Sequence, residues 1–437
     1  MTSAVGAFAI AACSMSVFLS STANGQACGE MVNLGTLGGM NSSPYGVSAD
    51  GRVVVGLTFD GLDQYRAFRW TPSDGMMDLG SLGGTYARAW GVSADGRTVV
   101  GESRDAFWRV HAFRWVNGVM QDLGAIDNGW SVGQCASADG EVVAVQGQVS
   151  SGWRAFRWTS AGGLQNLGTL GGDSYAVAIS AGGGAIAGDS RLANGQWRAF
   201  RWSADTGLVN LGTLGGLYSS ANAISEDGLA VVGSSTNAAG ETRAFRWTVA
   251  GGMQDLGTLG GVKASAWGVS ADGSVVVGDS TNVAGNARAF RWTLAGGMQS
   301  LGTLGGATSY AQAVSPDGNV VVGQARVPGG WVAFRWSLER GMRSLGRLGG
   351  EAASACAVSA DGRVVVGWSD FMPNDERAFW WRGTAADFNG DGFINGDDYD
   401  AFALAFESGL SSADINGDGF VNGDDYDMFA EAYEAGC

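Results

Sequence analysis

The sequence predicts an all-β architecture: an eight-bladed β-propeller of four-stranded repeats, closed by its N-terminal strand and followed by a small α-helical module. Three observations carry this. An L-G-x-L-G-G element starts at Leu34, Leu79, Leu167, Leu211, Leu256, Leu301 and Leu345, with a degenerate copy at Leu123, and successive copies lie 44 or 45 residues apart. That period belongs to repeat arrays whose units cannot bury an apolar face alone. Runs such as Val53-Val54-Val55 call for sheets buried on both faces, since a half-exposed strand would alternate. The array also begins with a lone fourth-strand element, Met31–Leu34, and ends on a third-strand element, Ala378–Trp381. Two partial blades make one whole blade if the ends meet, which removes the open edges. The competing architecture is an open β-solenoid.

The first 27 residues read as an export signal, with an apolar stretch from Ala4 to Leu19 and small residues around Ala23 and Ala27. A lipoprotein signal at Cys13 or Cys28 fits less well. No other stretch reaches membrane-spanning length. The propeller is expected over 28–382. Each repeat reads as four strands: one ending in G-V-S, an Ala-Asp-Gly hairpin turn, a Val-rich strand, a variable loop, an A-F-R-W strand and a short fourth strand. The 74 Gly fall mostly at repeated turn positions, which suits many short strands and not disorder. Four cysteines remain beyond the signal (Cys28, Cys135, Cys356, Cys437) and permit three pairings; their positions select none.

These motifs, over roughly Val32–Trp381, resemble the HAF-type extracellular repeat, named for a His-Ala-Phe triplet. Only His111-Ala112-Phe113 keeps the His; Arg replaces it in most units and Val332 in one. The resemblance implies a secreted propeller without an assigned reaction.

The net charge of −16 is concentrated in the tail. Residues 384–437 hold 13 acidic and no basic side chains, leaving 29 acidic against 26 basic elsewhere. No basic footprint for nucleic acid is present. Within 386–437, two twelve-residue loops repeat 27 residues apart. The first offers Asp387, Asn389, Asp391, the Phe393 carbonyl, Asn395 and Asp398; the second offers Asp414, Asn416, Asp418, the Phe420 carbonyl, Asn422 and Asp425. Hard oxygen donors at positions 1, 3, 5, 7, 9 and 12, with Gly at 6, are the pattern of a Ca²⁺ loop, so two Ca²⁺ sites are expected. Helices should follow at 399–406 and 426–433, with Ile394 and Val421 packing the loops together. Asp in place of Glu at position 12, Asn at 9 and the terminal Gly436-Cys437 make this segment similar to a dockerin domain. That resemblance implies docking onto a cohesin-like or other surface scaffold protein. Positions 10 and 11, which contribute to partner choice in that family, are here the small acidic pairs Gly396-Asp397 and Gly423-Asp424. The other reading is a calcium-stabilised cap without a partner.

Active-site signals are sparse. His111 is the one imidazole, so a Ser-His-Asp site would have to use it, and its repeat position favours a structural role. The repeated turn Asp (Asp50, Asp95 and their equivalents) and the repeated Arg of A-F-R-W read as scaffold. Positions that break the repeat are better candidates. Just before each V-S-A-D-G element stand Tyr45, Trp90, Gln134, Val177, Asn222, Trp267, Gln312 and Cys356, of which Tyr45, Trp90, Gln134, Asn222, Trp267 and Gln312 are the expected ligand-binding set at a channel mouth. They are expected at the start of the innermost strand, on the same face as loops carrying Trp108, Trp153, Trp197 and Trp331. Aromatics beside amides suit sugars, although rings also cover strand edges. Function is read as secreted, noncatalytic binding or adhesion, docked at a surface, with a glycan as possible ligand. The alternatives are a polysaccharide-acting enzyme using a carboxylate pair such as Glu102 or Asp105 with Asp189 or Asp279, and an envelope component without a small ligand.

Overall fold

The computed structural model describes residues 29–124, 126–127, 129–372, 375–388, 394–410, 413–415 and 420–435. The expected export signal therefore lies outside the described residues. Eight four-stranded antiparallel sheets follow one another. Blade 1 runs Gly38–Val47, Val54–Asp60, Tyr65–Thr71 and Gly75–Asp78, and blade 2 repeats it as Gly83–Val92, Thr98–Asp105, Val110–Val116 and Val119–Asp122. The eighth sheet takes Ala353–Val358, Val364–Met372 and Asp375–Gly383 from the end of the array and Gly29–Asn33 from its beginning. Met31 faces Trp381 and Asn33 faces Phe379 in that ladder. The ring is closed, and the solenoid alternative falls.

The first strands of neighbouring blades touch all the way round, including blade 8 to blade 1, so they line the axis. Each contains a β-bulge: between Pro44 and Gly46 in blade 1, Ala89 and Gly91 in blade 2, and likewise in the others. The bulge brings the first strand hard against the second. A Cβ on Gly233 would lie 2.0 Å from the Ser220 carbonyl oxygen. Seven blades therefore pair Ala or Pro on the first strand with Gly on the second, as in Ala221 opposite Gly233. Blade 3 inverts the pair, with Gly133 opposite Val145, so the same space is filled from the other strand.

Adjacent blades are joined by repeated hydrogen bonds. The Arg of A-F-R-W donates from Nε to the turn carbonyl of the next blade, as Arg114 to Gly140 (2.8 Å) and Arg246 to Gly273 (2.6 Å). In blade 8 that Arg is Trp380, and its indole donates to the Gly51 carbonyl of blade 1 at 2.8 Å. Backbone bonds also link the turns, from Ala49 to Ala94, Ala94 to Ala138, Ala138 to Ala181 and onward, and Ala360 returns to Ala49. Position 316 is Pro, which has no N–H to pass to the next turn. Between blades lie clusters of fully buried Val, Ala and Phe, each with a Leu of the L-G motif 2–6% exposed.

Two helices complete the described chain, Gly396–Glu407 (α1) and Gly423–Ala435 (α2). They extend beyond the expected 399–406 and 426–433 because Asn395 caps α1 three residues earlier than its apolar pattern begins. Phe388, Phe402, Ile415 and Phe429 form their core, with Phe402 and Phe429 stacked at 4.1 Å. Val421 packs against it as expected, but Ile415, not Ile394, holds the centre. The module is seated on the turn face of blades 8 and 1. Arg52 pairs with Asp414 at 3.1 Å, Arg382 donates to the Ile415 carbonyl at 3.3 Å, and Arg363 lies over the Phe388 ring at 4.3 Å. No described helix is long and apolar enough to cross a membrane.

Candidate functional site

The repeated polar residues are occupied by the scaffold. Ser48 donates to Asp50, whose carboxylate also accepts the Arg52 N–H, and Val53 donates to the Ser48 hydroxyl. The Ser137 hydroxyl and the Glu141 N–H hold the equivalent Asp139 carboxyl below the usual carboxylate range. One oxygen of each of these turn carboxylates is thus taken up in holding its hairpin. His111 replaces an Arg. In blade 1, Arg66 sits beside Asp60 and Asp78; in blade 2, His111 lies 2.8 Å from Asp122 and 4.0 Å from Asp105. Its side chain is buried, with Nδ1 hydrogen-bonded to Asp122 and Nε2 without a hydrogen-bond partner among the described residues.

The bulge explains the variable position. Tyr45, Trp90, Gln134, Val177, Asn222, Trp267, Gln312 and Cys356 are the inserted residues, unpaired in their ladders. All are half-buried or exposed, while the residue before each is buried. On the innermost strand such exposure faces the axial channel. Two expectations need correction. Trp90 is the eighth of ten residues in its strand, not the first, because the strand starts at the glycines of the L-G motif. The second-to-third strand loops open at the opposite end, because Gly83 pairs with Asp105 while Val92 pairs with Val99. The bulge residues therefore lie within the channel, nearer the turn face, and the loop tryptophans rim the other mouth.

Neighbours tie several bulge residues down. Asn222 donates to the Ala266 carbonyl at 2.7 Å, and Trp267 Nε1 donates to Asp279 at 2.7 Å. Gln134 and Gln312 stay half-buried. Tyr45 and Trp90 pack ring to ring, tilted by 31° with centroids 4.8 Å apart. Among the described residues, the Trp90 Nε1–H and the Arg88 Nε–H are buried and meet no acceptor. The thiols of Cys135 and Cys356 are free, and burial pushes both up to about 12, so they are inert. Cys28 and Cys437 lie outside the described residues.

Glu102, Asp189 and Asp279, named from the sequence as carboxylates of the enzyme alternative, share one position in a second variable ring. The residue after each V-V-V-G run faces the first strand across the ladder: Glu102 opposite Arg88, Asp189 opposite Tyr175, Asp279 opposite Ser265. The signal in the sequence is the irregular residue following the glycine that seven of the eight blades keep at this point. These carboxylates stand in blades 2, 4 and 6, never in adjacent blades. Glu102 accepts from the Tyr86 hydroxyl at 2.5 Å. Burial pushes Asp189 up to about 6, against the Ser220 hydroxyl and Ala221 N–H that it accepts from blade 5. Burial likewise raises Asp279, opposed by Trp267. Asp105 accepts from the Phe107 and Arg109 N–H groups at 2.8 and 2.9 Å, as Asn237 and Asn282 do in their blades. It is a turn staple.

Of the rim tryptophans, Trp153 and Trp197 pack on Tyr175, and Trp331 packs on Tyr310. Trp108 differs. It is 69% exposed and holds φ of 66°, at the turn position where blades 4, 5 and 6 place Gly195, Gly240 and Gly285. A bulky side chain there costs about 1–2 kcal/mol against glycine. Beneath it Arg104 lies over both the Trp108 and Tyr86 rings, at 5.5 and 5.2 Å.

In the tail, Asn389, Asp391, Phe393, Asn416 and Asp418 lie outside the described residues. Asn395 and Asn422 are helix caps: each accepts the N–H two residues on (2.7 and 2.8 Å) and donates its own N–H to Asp398 or Asp425 (3.0 and 2.9 Å). Asp398 and Asp425 are fully buried and Asp414 nearly so, while Asp387 is half-buried and Phe420 is exposed. Burying carboxylates is costly without a compensating cation. Among the described residues no three His, Cys, Asp or Glu side chains gather into a group that could hold a metal; carboxylate and amide oxygens are the donor types that suit Ca²⁺.

No family model and no curated protein matches this sequence. Among solved structures, the chain is similar to dipeptidyl peptidase 4 from Porphyromonas gingivalis, with a TM-score of 0.54 and 12% identity over 83% of this chain and 59% of that one. It also matches TolB from Acinetobacter baumannii (TM-score 0.36, 13% identity, 64% of this chain and 78% of that). A putative TolB from Agrobacterium tumefaciens gives a TM-score of 0.37 at 14% identity, over 79% and 99% of the two chains. At these identities the likeness extends to the fold alone.

Proposed function

We propose that this chain is a secreted, noncatalytic binding propeller, held at a surface through its C-terminal module. One observation carries the reading. Every repeated polar group is committed to joining strands or blades, whereas residues free to vary gather on the bulges and along the axial face. Aromatic and amide side chains there (Tyr45, Trp90, Trp267, with Gln134, Asn222 and Gln312) suit a sugar, which stacks its C–H face on rings and bonds to amides. The enzyme reading rests on Glu102, Asp189 and Asp279, and each already holds a hydrogen bond within the fold.

The module carries the features of a dockerin-like domain, spanning 386–437 behind a propeller at 28–382. Asp387, Asp398, Asp414, Asp425, Asn395, Asn422 and the Phe420 carbonyl would supply the described part of two Ca²⁺ sites. The ion would neutralise buried carboxylates and fix the loops against α1 and α2. A cohesin-like scaffold protein is the proposed partner. The test is a glycan array probed with the full chain and with Trp90→Ala/Trp267→Ala, beside a pull-down from the producing cell's surface fraction with and without chelator. Loss of glycan signal in the double variant supports channel binding; undiminished signal refutes it. A scaffold protein retained only with Ca²⁺ supports docking, and release of soluble glycan on incubation would favour the enzyme.

A further inference from the structure

Blade 2 differs from its seven sisters in a way that scaffold needs do not explain. Tyr86, Arg88 and Trp90 alternate with the fully buried Ala87 and Ala89 on its first strand, so all three face the channel. Arg104 stands beside Tyr86 on the second strand, two residues beyond Glu102, and so shares that face. The result is a continuous file of rings and guanidinium groups. Tyr45 packs on Trp90, Arg88 lies 4.8 Å from the Trp90 ring and 5.9 Å from the Tyr86 ring, and Arg104 continues over Tyr86 to Trp108. It climbs from the bulge ring inside the channel to the far rim; in blades 4 and 7 Tyr175 and Tyr310 also reach rim tryptophans, but the bulge residues there, Val177 and Gln312, add no ring to continue the file. In the other blades Arg88 is replaced by Ser, Val or Tyr, as at Ser43, Val132 and Tyr175.

Three features give this file the character of a site. Trp108 keeps a left-handed backbone that blades 4, 5 and 6 assign to glycine and blade 1 to Asp63, yet its side chain is largely in solvent, so packing does not reward the strain. The Arg88 Nε–H and Trp90 Nε1–H are buried donors without acceptors. No described carboxylate lies within ion-pair distance of Arg104, whereas Arg109 beside it is paired with Asp105 at 2.6 Å.

We propose that this file binds an anionic polysaccharide, with sugar rings on Trp90, Tyr86 and Trp108 and carboxylate or sulfate groups on Arg88 and Arg104. The proposal rests on the binding reading above and names its ligand class. A guanidinium stacked on a ring keeps its N–H edge for an oxyanion, in a planar fork that suits carboxylate and sulfate alike. Rings alternating with cations match a polymer that alternates C–H faces with anionic groups. An acidic peptide would bring its own N–H donors, and the acceptor at hand, Glu102, is already bonded to Tyr86.

The experiment is calorimetric titration of the full chain with polygalacturonate, dextran sulfate, amylose and poly-dT. Wild type, Arg104→Gln, Trp108→Ala and Trp90→Ala/Trp267→Ala are compared after a melting curve shows each folded. Polygalacturonate should bind, with affinity falling as salt rises, and Arg104→Gln should weaken it by roughly tenfold, the loss of one charge-assisted contact. Trp108→Ala should weaken it similarly. Binding of dextran sulfate alone, lost in the same variants, supports the same site with sulfate as the anion. Amylose binding that disappears in the double tryptophan variant but survives Arg104→Gln overturns this proposal and leaves channel binding standing. Poly-dT bound in preference to every polysaccharide overturns it, as does unchanged polygalacturonate affinity in Arg104→Gln. Absence of binding to any polysaccharide removes both readings.

Discussion

Ring closure can be tested at one leucine. Leu34 follows the N-terminal strand and is 5% exposed, packed against Val54 and Phe68 of blade 1 and Val364 and Val366 of blade 8. Leu211 holds the same place between blades 4 and 5, also 5% exposed. Leu→Ala removes three carbons, about 2.4 kcal/mol of transfer free energy at ~0.8 per methylene. A residual cavity on the order of 50 Å³ adds about 1.2 kcal/mol. Each substitution should therefore cost roughly 3–4 kcal/mol, near the middle of the range for buried leucines. The two sites differ in what holds them. Leu211 is fixed by strands adjacent in sequence, whereas Leu34 is buried only if the first strand has crossed the ring to pair with Asp375–Gly383. Guanidinium unfolding followed by tryptophan fluorescence should give equal drops in midpoint at unchanged slope. A full loss for Leu211→Ala with none for Leu34→Ala would mean that the N-terminal strand is undocked in solution and the ring open.

Trp380→Phe keeps the ring beside Trp70 but leaves the Gly51 carbonyl without its donor, so it should cost about 1–2 kcal/mol. Trp380→Arg, which restores the residue used by the other blades, should lose less in the same melt. Asp189 is an acid whose folded pKa, about 6, lies above its ordinary 3.8. The folded state therefore binds the proton more tightly, and this group's contribution declines as pH rises from about 4 to about 6, by up to roughly 3 kcal/mol. Asp189→Asn should accordingly be more stable than wild type at pH 7.5 and lose that advantage near pH 4; equal effects at both values would refute a buried, reluctant carboxylate. If Ca²⁺ fills the tail loops, adding it at 100 times its dissociation constant should stabilise the module by about 2.7 kcal/mol. Asp425→Ala should abolish much of that gain in calorimetric scans, and a scan unaltered by chelator would argue against metal.

Much of this protein was legible in its residues because repetition makes the physics redundant. Eight copies of one pattern average out local ambiguity, so blade number, strand number and the closing partnership of Met31–Leu34 with Ala378–Trp381 followed from period and phase. The structural roles of Asp50 and Arg69 also followed, since a residue shared by nearly every unit serves what the units share. What repetition cannot convey is an offset of one residue. A bulge shifts which side chains face the axis without leaving a mark in hydrophobic periodicity, so Trp90 was expected at a strand start and lies two residues from its end. Glu102, Asp189 and Asp279 were visible as irregular carboxylates, but only cross-strand register sets Glu102 opposite Arg88 and puts the three in alternate blades. The file from Tyr45 to Trp108 belongs wholly to tertiary structure: its members come from separate strands and a loop, and sequence distance says nothing of rings 5 Å apart. The chain alone thus decided the architecture, through turns and burial repeated at fixed intervals. Folding decided the site, because register, twist and neighbouring blades determine which unrepeated side chains come within reach of one another.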